Sequence, residues 1–259
     1  MSIATLPPTR RPVVYPESDG KPMAENTEQF DYITLIKLGL EAMLAERPDV
    51  FIAGDLFWYP EEGNNKVVTA PDVLVAFGRP KGRRGSYLQW VEGDIAPQVV
   101  FEIMSPSNTK TEMDQKLAWY DRHGVEEYYV YDPDDGELKG YQRSAGSLAR
   151  IPKMRGWISP RLATRFELDG KSLELYGPDG RRFQHYVDVV QQLRWSETHS
   201  VELKEAADLA SQQAEAERQR AESERQRAEI ESLRAETVSR QNELLAAKLR
   251  ELGIDPANL

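Results

Sequence analysis

The apolar positions of this chain follow two different periods. Between residues 26 and 46 they recur mostly three or four residues apart, a spacing that predicts an amphipathic helix. Further along, short runs rich in β-branched and aromatic residues predict strands, and these runs occupy residues 50–59, 70–77, 98–104 and 127–131. A second helix is predicted over residues 111–122, where apolar side chains return to helical spacing before Gly124.

This order of elements predicts an α/β domain. Helix, three strands, helix and strand form a mixed central sheet flanked by helices, in which the third strand, the second helix and the fourth strand make a right-handed crossover. Shorter alternating runs are predicted to extend the sheet, mostly in antiparallel fashion, and they lie at residues 138–142, 163–168 and 172–176. The proline-rich residues 1–22 predict a flexible leader, so that the domain covers residues 23–185.

The last part of the chain, residues 186–259, has a different repeat. Alanine recurs there every seven residues, as Ala207, Ala214, Ala221, Ala228 and Ala235. A seven-residue period predicts a long helix of the coiled-coil type. Because an alanine seam removes little apolar area from water, three arrangements stay open: a homo-oligomer through residues 200–252, a single solvated helix, and a helix that needs another partner.

Composition narrows the chemistry. The chain has no cysteine, which excludes disulfides, thiolate metal sites and cysteine nucleophiles. It has three histidines, none at ligand spacing, so a metal would be held mainly by carboxylate and carbonyl oxygens, which favours a hard cation such as Mg²⁺. No apolar stretch of about 18 residues occurs, and no secretion signal is recognisable, so we expect a cytoplasmic protein without a membrane partner.

The charge of the chain limits its contacts with nucleic acid. A net charge of −10 argues against indiscriminate coating of nucleic acid but allows a local basic groove. The loop at residues 79–85 is basic and rich in glycine, and its cations Lys81, Arg83 and Arg84 are predicted to contact phosphates. The alternative is that these side chains are simply solvated. No platform of interleaved aromatic residues accompanies the loop, so sequence-specific readout is not predicted.

Two carboxylates stand inside strand-like runs. Asp72 lies in the run at residues 70–75, and Glu102 lies in the apolar run that begins at residue 98. At least one face of such a strand is buried, and a buried carboxylate without a partner costs about 3 kcal/mol or more. Two such acids on neighbouring strands therefore predict either a cationic partner or a metal ion.

The motifs around these acids resemble a known family. The chain carries Pro71-Asp72, Glu102-x-x-Ser-Pro-Ser, a helix with Lys116-x-x-x-Tyr120, and Gly124-Val-x-Glu-Tyr followed by Asp132-Pro133. Together and in this order they resemble a bacterial family of restriction-endonuclease-like proteins within the PD-(D/E)XK nuclease superfamily. The resemblance covers roughly residues 13 to 185, and it implies the restriction-endonuclease-like α/β fold.

The resemblance implies a metal-dependent endonuclease that hydrolyses DNA, and a nuclease for RNA or for a structured nucleic acid stays open as an alternative. Asp72 and Glu102 would hold one or two divalent ions, Mg²⁺ or Mn²⁺, which polarise the scissile phosphate and lower the pKa of the attacking water. The superfamily places a lysine two residues after the glutamate, but Met104 stands there in this chain. Lys116, on the following helix, would replace it, and Glu25 resembles the extra acid with which some members complete the metal shell.

Each of these residues also has a purely structural interpretation. Asp72 would accept backbone hydrogen bonds after Pro71, and Glu102 would pair with Lys116 as a buried salt bridge without a metal. Lys116 would be solvated like most helical lysines, and Glu25 would interact favourably with a helix dipole. The rival function for the whole chain is accordingly a catalytically inactive nuclease fold, a scaffold or binding module whose coiled-coil tail mediates protein association.

Overall fold

The structure, a computed structural model, describes residues 13–20, 22 and 24–251 of the 259-residue chain. The chain divides into two compact units, Met1–Val189 and Val190–Leu259. Residues 1–12, 21 and 23 around the predicted leader, and residues 252–259 at the end of the predicted tail, lie outside the described residues. None of the helices that the described residues form combines the length and apolar character needed to cross a membrane.

Three helices and eleven strands are formed by the described residues. The helices are α1 (Thr27–Met43), α2 (Lys110–Arg122) and α3 (Tyr186–Glu251). The strands are β1 (Val50–Gly54), β2 (Trp58–Tyr59), β3 (Val73–Phe77), β4 (Tyr87–Leu88), β5 (Val99–Ile103), β6 (Glu127–Asp132), β7 (Glu137–Ser144), β8 (Ser147–Arg150), β9 (Trp157–Ile158), β10 (Arg165–Asp169) and β11 (Ser172–Tyr176).

A six-stranded mixed sheet forms the centre of the first unit, in the order β1-β3-β5-β6-β7-β8. Strands β5 and β6 are parallel and are connected through α2, whereas the other neighbours in this sheet are antiparallel. The strands β11-β10-β9 form a separate sheet, and β2 pairs with β4. This architecture, with the long C-terminal helix, confirms the predicted mixed α/β fold class.

Side-chain alternation divides the core between the two faces of the central sheet. On one face Val73, Val99 and Phe101 pack with α1 and with β10 and β11. On the other face Leu74 and Val100 pack with Tyr120 of α2, and we call this the α2 face. Because successive residues of a strand point to opposite faces, Glu102 lies on the α2 face with Val100.

The structure corrects several boundaries of the predicted elements. The predicted strand at 50–59 is interrupted after Gly54, because Asp55 adopts a left-handed conformation with φ 46°. The predicted strand at 70–77 begins at Val73, so Asp72 immediately precedes β3. Strands β4 and β9 were not predicted because two residues are too short to show a period, and β8 is mostly exposed and lacks an apolar run.

The described part of the leader makes specific contacts. The ring of Tyr15 lies 5.1 Å from that of Tyr59 and 5.0 Å from that of Trp90, measured between centroids. Tyr59 donates a hydrogen bond to the carbonyl oxygen of Pro16 at 2.8 Å, and Asn65 donates one to Val14. Residues 14–16 therefore lie against the segment that carries β2 and β4.

Helix α3 is 66 residues long, and none of its residues is buried. It includes most of the heptad segment predicted at 200–252, of which residue 252 lies outside the described residues. Self-association through this segment stays a prediction.

Candidate active site

The strand registers bring three acids together at one edge of the central sheet. Val73 pairs with Phe101 across β3 and β5, so continuing this antiparallel register by one residue places Asp72 opposite Glu102. Gly54 pairs with Val73 across β1 and β3, and the same step places Asp55 opposite Asp72. Directly opposite residues on antiparallel strands have Cβ atoms about 5 Å apart. Asp72 and Glu102, the two acids predicted as a pair, are therefore brought together.

Asp72 is a buried carboxylate with one short hydrogen bond. It is 8% exposed, and its Oδ2 accepts a hydrogen bond from the backbone N–H of Ile103 at 2.6 Å. Burial raises the pKa of Asp72 well above its usual value, and the negative charge of Glu102 raises it further. The backbone bond to Ile103 and the charge of Lys116 oppose this rise without cancelling it. Removal of the Asp72 carboxyl group from water is thus the main cause of its raised pKa.

Glu102 is almost completely buried, with 2% of its surface exposed, and α2 contacts both of its oxygens. Lys116 Nζ lies 2.8 Å from Oε2, and the hydroxyl of Tyr120 donates a short hydrogen bond to Oε1. Burial alone would lower the pKa of Lys116, but the charge and hydrogen bond of Glu102 leave it raised overall, so Lys116 stays protonated. The structure therefore contains the buried ion pair that the sequence allowed.

Asp55, which was not predicted as a site residue, belongs to this group of acids. Its N–H donates to the carbonyl oxygen of Asp72 at 3.2 Å. Its pKa is raised to about 6, first by burial and then by the charges of Asp19 and Glu102. Its position directly after the apolar run of β1 was a usable signal, since Asp72 directly precedes a similar run.

Met104 occupies the position at which the superfamily carries lysine. Its N–H donates to the carbonyl oxygen of Tyr131 at 2.8 Å, and its half-buried side chain packs with the apolar residues of the α2 face. The cation next to Glu102 is instead Lys116, which lies on α2, the helix that follows β5.

Glu25 lies near the C-terminal end of β5, the end close to Glu102. Its Oε2 accepts a hydrogen bond from Ser105 Oγ at 2.7 Å, and its N–H donates to Gln29 Oε1 at 2.9 Å. Gln29 in turn donates to the carbonyl oxygen of Ile103 at 3.0 Å. These contacts attach the start of α1 to the turn after β5.

The three cations of the basic loop have different surroundings. Lys81 Nζ donates to the carbonyl oxygens of Leu44 and Ala45, where the chain leaves α1. Arg84 Nε lies 2.6 Å from Oε1 of the buried Glu92, and its guanidinium lies 3.9 Å from the centre of the Phe51 ring. Arg83 is exposed and forms no ion pair within the part of the chain that the structure describes.

The donor chemistry of the acid pair fits a hard divalent cation. Asp72 and Glu102 offer carboxylate oxygens, which Mg²⁺ and Mn²⁺ prefer, and their surroundings leave the pKa of Asp72 raised. Within residues 13–20, 22 and 24–251, however, no three acidic or histidine side chains cluster closely enough to hold a metal ion. Protein carboxylates from this pair would thus supply two positions in a metal shell, and other oxygens would complete it.

Comparison with known proteins identifies the family. Residues 21–169 match the model of the family described as "Uma2: Putative restriction endonuclease". A crystal structure described as a putative nuclease belonging to DUF820 from Anabaena variabilis ATCC 29413 is similar to the chain with 17% identity and a TM-score of 0.40, and the match covers 56% of this chain and 79% of that chain. Comparison with curated proteins found no match. Because the family model covers more than half of the 259 residues, the chain belongs to the Uma2 family of restriction-endonuclease-like proteins.

Proposed function

We propose that this protein is a metal-dependent endonuclease that hydrolyses DNA phosphodiester bonds. The observation that carries the proposal is the arrangement of Asp72 opposite Glu102, with Lys116 Nζ 2.8 Å from Glu102. Two buried carboxylates and one half-buried cation at the edge of a sheet combine metal-ligating oxygens with a positive charge for the phosphate. Membership of the Uma2 family supports a nuclease over other metal-dependent hydrolases.

Each side chain has a definite role in this proposal. Asp72 and Glu102 would hold Mg²⁺ or Mn²⁺, and the chemistry that such an ion supplies is polarisation of the phosphate and a lower pKa of water. Lys116 has a raised pKa, and about a quarter of its side chain is exposed. It would orient the attacking water and stabilise the charge that develops on the phosphate. Asp55 is an additional acid that the strand register places opposite Asp72, and its pKa is raised to about 6.

Two further parts of the predicted site belong to the same proposal. Glu25 would help to complete the metal shell, and its hydrogen bond with Ser105 holds it beside the turn that follows β5. Of the basic-loop cations, exposed Arg83 is best suited to a DNA phosphate, because Lys81 and Arg84 already have partners within the domain. The predicted contacts of Lys81 and Arg84 would require an exchange of those partners.

The exposed α3 helix supports a separate proposal of homo-oligomerisation through residues 200–252. Apolar side chains along it remain more than half exposed, among them Leu203, Leu209, Ile230, Leu233, Val238 and Leu244. Light scattering of the full chain and of a chain truncated after Val189 tests this proposal. We expect more than one chain per particle only in the full-length protein, and one chain in both would contradict it.

The rival function is an inactive nuclease fold that acts as a scaffold through its tail. One observation favours it: both oxygens of Glu102 already have protein donors, Lys116 and Tyr120, so the acid is satisfied without a metal. The two functions differ in whether the Asp72–Glu102 pair takes up a divalent cation in solution.

Titration calorimetry with Mn²⁺ separates these functions. We expect binding by the wild type and loss of binding in Glu102→Gln. Asp49→Asn is the control and should also bind, because Asp49 directly precedes β1, at the end of this strand that lies away from the acid pair. Lys116→Arg keeps a cation beside Glu102, so we expect near-normal Mn²⁺ affinity together with slower plasmid cleavage. Equal binding by the wild type and Glu102→Gln would refute the assigned metal ligands.

A further inference from the structure

Two tyrosines lie side by side next to Glu102 but differ in hydrogen bonding. Tyr120 of α2 and Tyr128 of β6 are both fully buried, and their ring centroids are 4.9 Å apart. The Tyr120 hydroxyl donates to Glu102 Oε1 and lies 3.5 Å from Thr69 Oγ1. The Tyr128 hydroxyl has no hydrogen-bond partner within the described part of the chain. Only one of two neighbouring phenols therefore contacts the acid.

Helix α2 contacts the carboxylate of Glu102 at two points. Lys116 and Tyr120 are four residues apart, so they project from the same face of the helix. Lys116 donates to Oε2, and Tyr120 donates to Oε1. The terminal torsion of a glutamate is otherwise loosely restricted. One donor on each oxygen fixes the plane of the carboxylate, and each oxygen keeps a second acceptor position for another partner.

The hydroxyl is the part of Tyr120 that contacts Glu102. The ring of Tyr120 packs beside that of Tyr128 in the core of the α2 face. A phenylalanine at this position would fill almost the same volume, so filling the core does not by itself require the hydroxyl.

We propose that Tyr120 is a positioning residue, which holds the Glu102 carboxylate in the orientation that binds a divalent cation together with Asp72. This inference rests on the proposed function, because it concerns the same metal-binding pair. Hydrogen bonds to metal-ligating side chains orient them, and their removal typically lowers metal affinity about 10- to 100-fold. A purely structural Tyr120 would affect folding but would not change metal affinity selectively.

The neighbouring tyrosine provides a matched control. Mn²⁺ is titrated by calorimetry into the full-length wild type, Tyr120→Phe and Tyr128→Phe. Each of the two variants lacks one buried hydroxyl of the wild type. We expect affinity about tenfold weaker in Tyr120→Phe and unchanged in Tyr128→Phe. A second readout is the near-UV difference spectrum on addition of Mn²⁺, in which a tyrosine signal is expected in wild type and Tyr128→Phe and is lost in Tyr120→Phe.

The outcomes separate this inference from the proposed function. Absence of Mn²⁺ binding by the wild type would overturn the proposed function and the inference with it. Binding by the wild type with equal affinity in Tyr120→Phe, or an equal loss in Tyr128→Phe, would overturn the positioning role alone. If Tyr120→Phe does not fold, the spectra of the wild type and Tyr128→Phe decide, because a missing tyrosine signal on Mn²⁺ binding would contradict contact between Tyr120 and the metal ligand.

Discussion

Replacing Lys116 by methionine should destabilise the fold through Glu102. At 2.8 Å the Lys116–Glu102 pair has an attraction of about 6 kcal/mol at an effective dielectric constant of about 20. Much of this energy offsets the cost of removing both charges from water. Removing one partner of a buried pair nevertheless costs about 3–5 kcal/mol, because the other charge is left uncompensated. Since Lys116 is 26% exposed and Glu102 only 2%, we expect the lower end, about 3 kcal/mol.

A double-mutant cycle measures this coupling. Urea unfolding gives the free energy of unfolding for the wild type, Lys116→Met, Glu102→Gln and the double variant. We expect the double variant to regain most of the stability that Lys116→Met loses, because the uncompensated charge is gone. Arg47→Met serves as a control, since its ion pair with Asp49 is about half exposed on both sides. A loss below about 1 kcal/mol in Lys116→Met, or simple additivity in the double variant, would refute this reasoning.

Three further changes have expected outcomes in unfolding experiments. Tyr128→Phe should stabilise the protein by about 1 kcal/mol, because it removes a buried hydroxyl that has no hydrogen-bond partner within the described residues, and a loss of stability would contradict this reasoning. Gly39→Ala should cost about 1–3 kcal/mol in thermal unfolding, since an added Cβ would overlap the Phe183 ring; an unchanged melting temperature would show that the ring moves freely. Burial raises the pKa of Glu127, so its contribution to the free energy of unfolding is complete below the usual carboxyl pKa near 4.5 and is lost as the pH rises through the folded-state pKa. Glu127→Gln should therefore reduce the fall of the free energy of unfolding with rising pH, and an unchanged pH profile would contradict this expectation.

The central sheet was predictable because its strands are buried and apolar. Strand β3 is a continuous apolar run and β5 is apolar except for Glu102, so the position and length of both are visible in the sequence. Strands β2 and β4 depend instead on pairing between residues 58–59 and 87–88, which no local pattern reveals. The interruption after Gly54 also escaped prediction, because a single residue in the left-handed conformation, Asp55, leaves no periodic signal in the sequence.

The candidate site was predictable as far as local signals reach. Asp72 and Glu102 stood out because acids are rare in apolar runs, and the partnership of Glu102 with Lys116 was among the alternatives. Asp55 also borders an apolar run, but its place beside Asp72 follows from strand register, which requires knowledge of the pairing of β1 with β3. The basic loop shows the same limit, because the bond from Lys81 to the end of α1 joins residues 37 positions apart.

Cleavage of supercoiled plasmid DNA tests the central claim most directly. The wild type and Glu102→Gln, with Asp49→Asn as control, are incubated with plasmid in Mg²⁺ and separately in a chelator. The proposed function predicts nicking by the wild type and Asp49→Asn in Mg²⁺ only, with none by Glu102→Gln. Equal nicking by the wild type and Glu102→Gln, or no nicking by a wild type that binds Mn²⁺, would contradict a DNA endonuclease centred on Asp72 and Glu102.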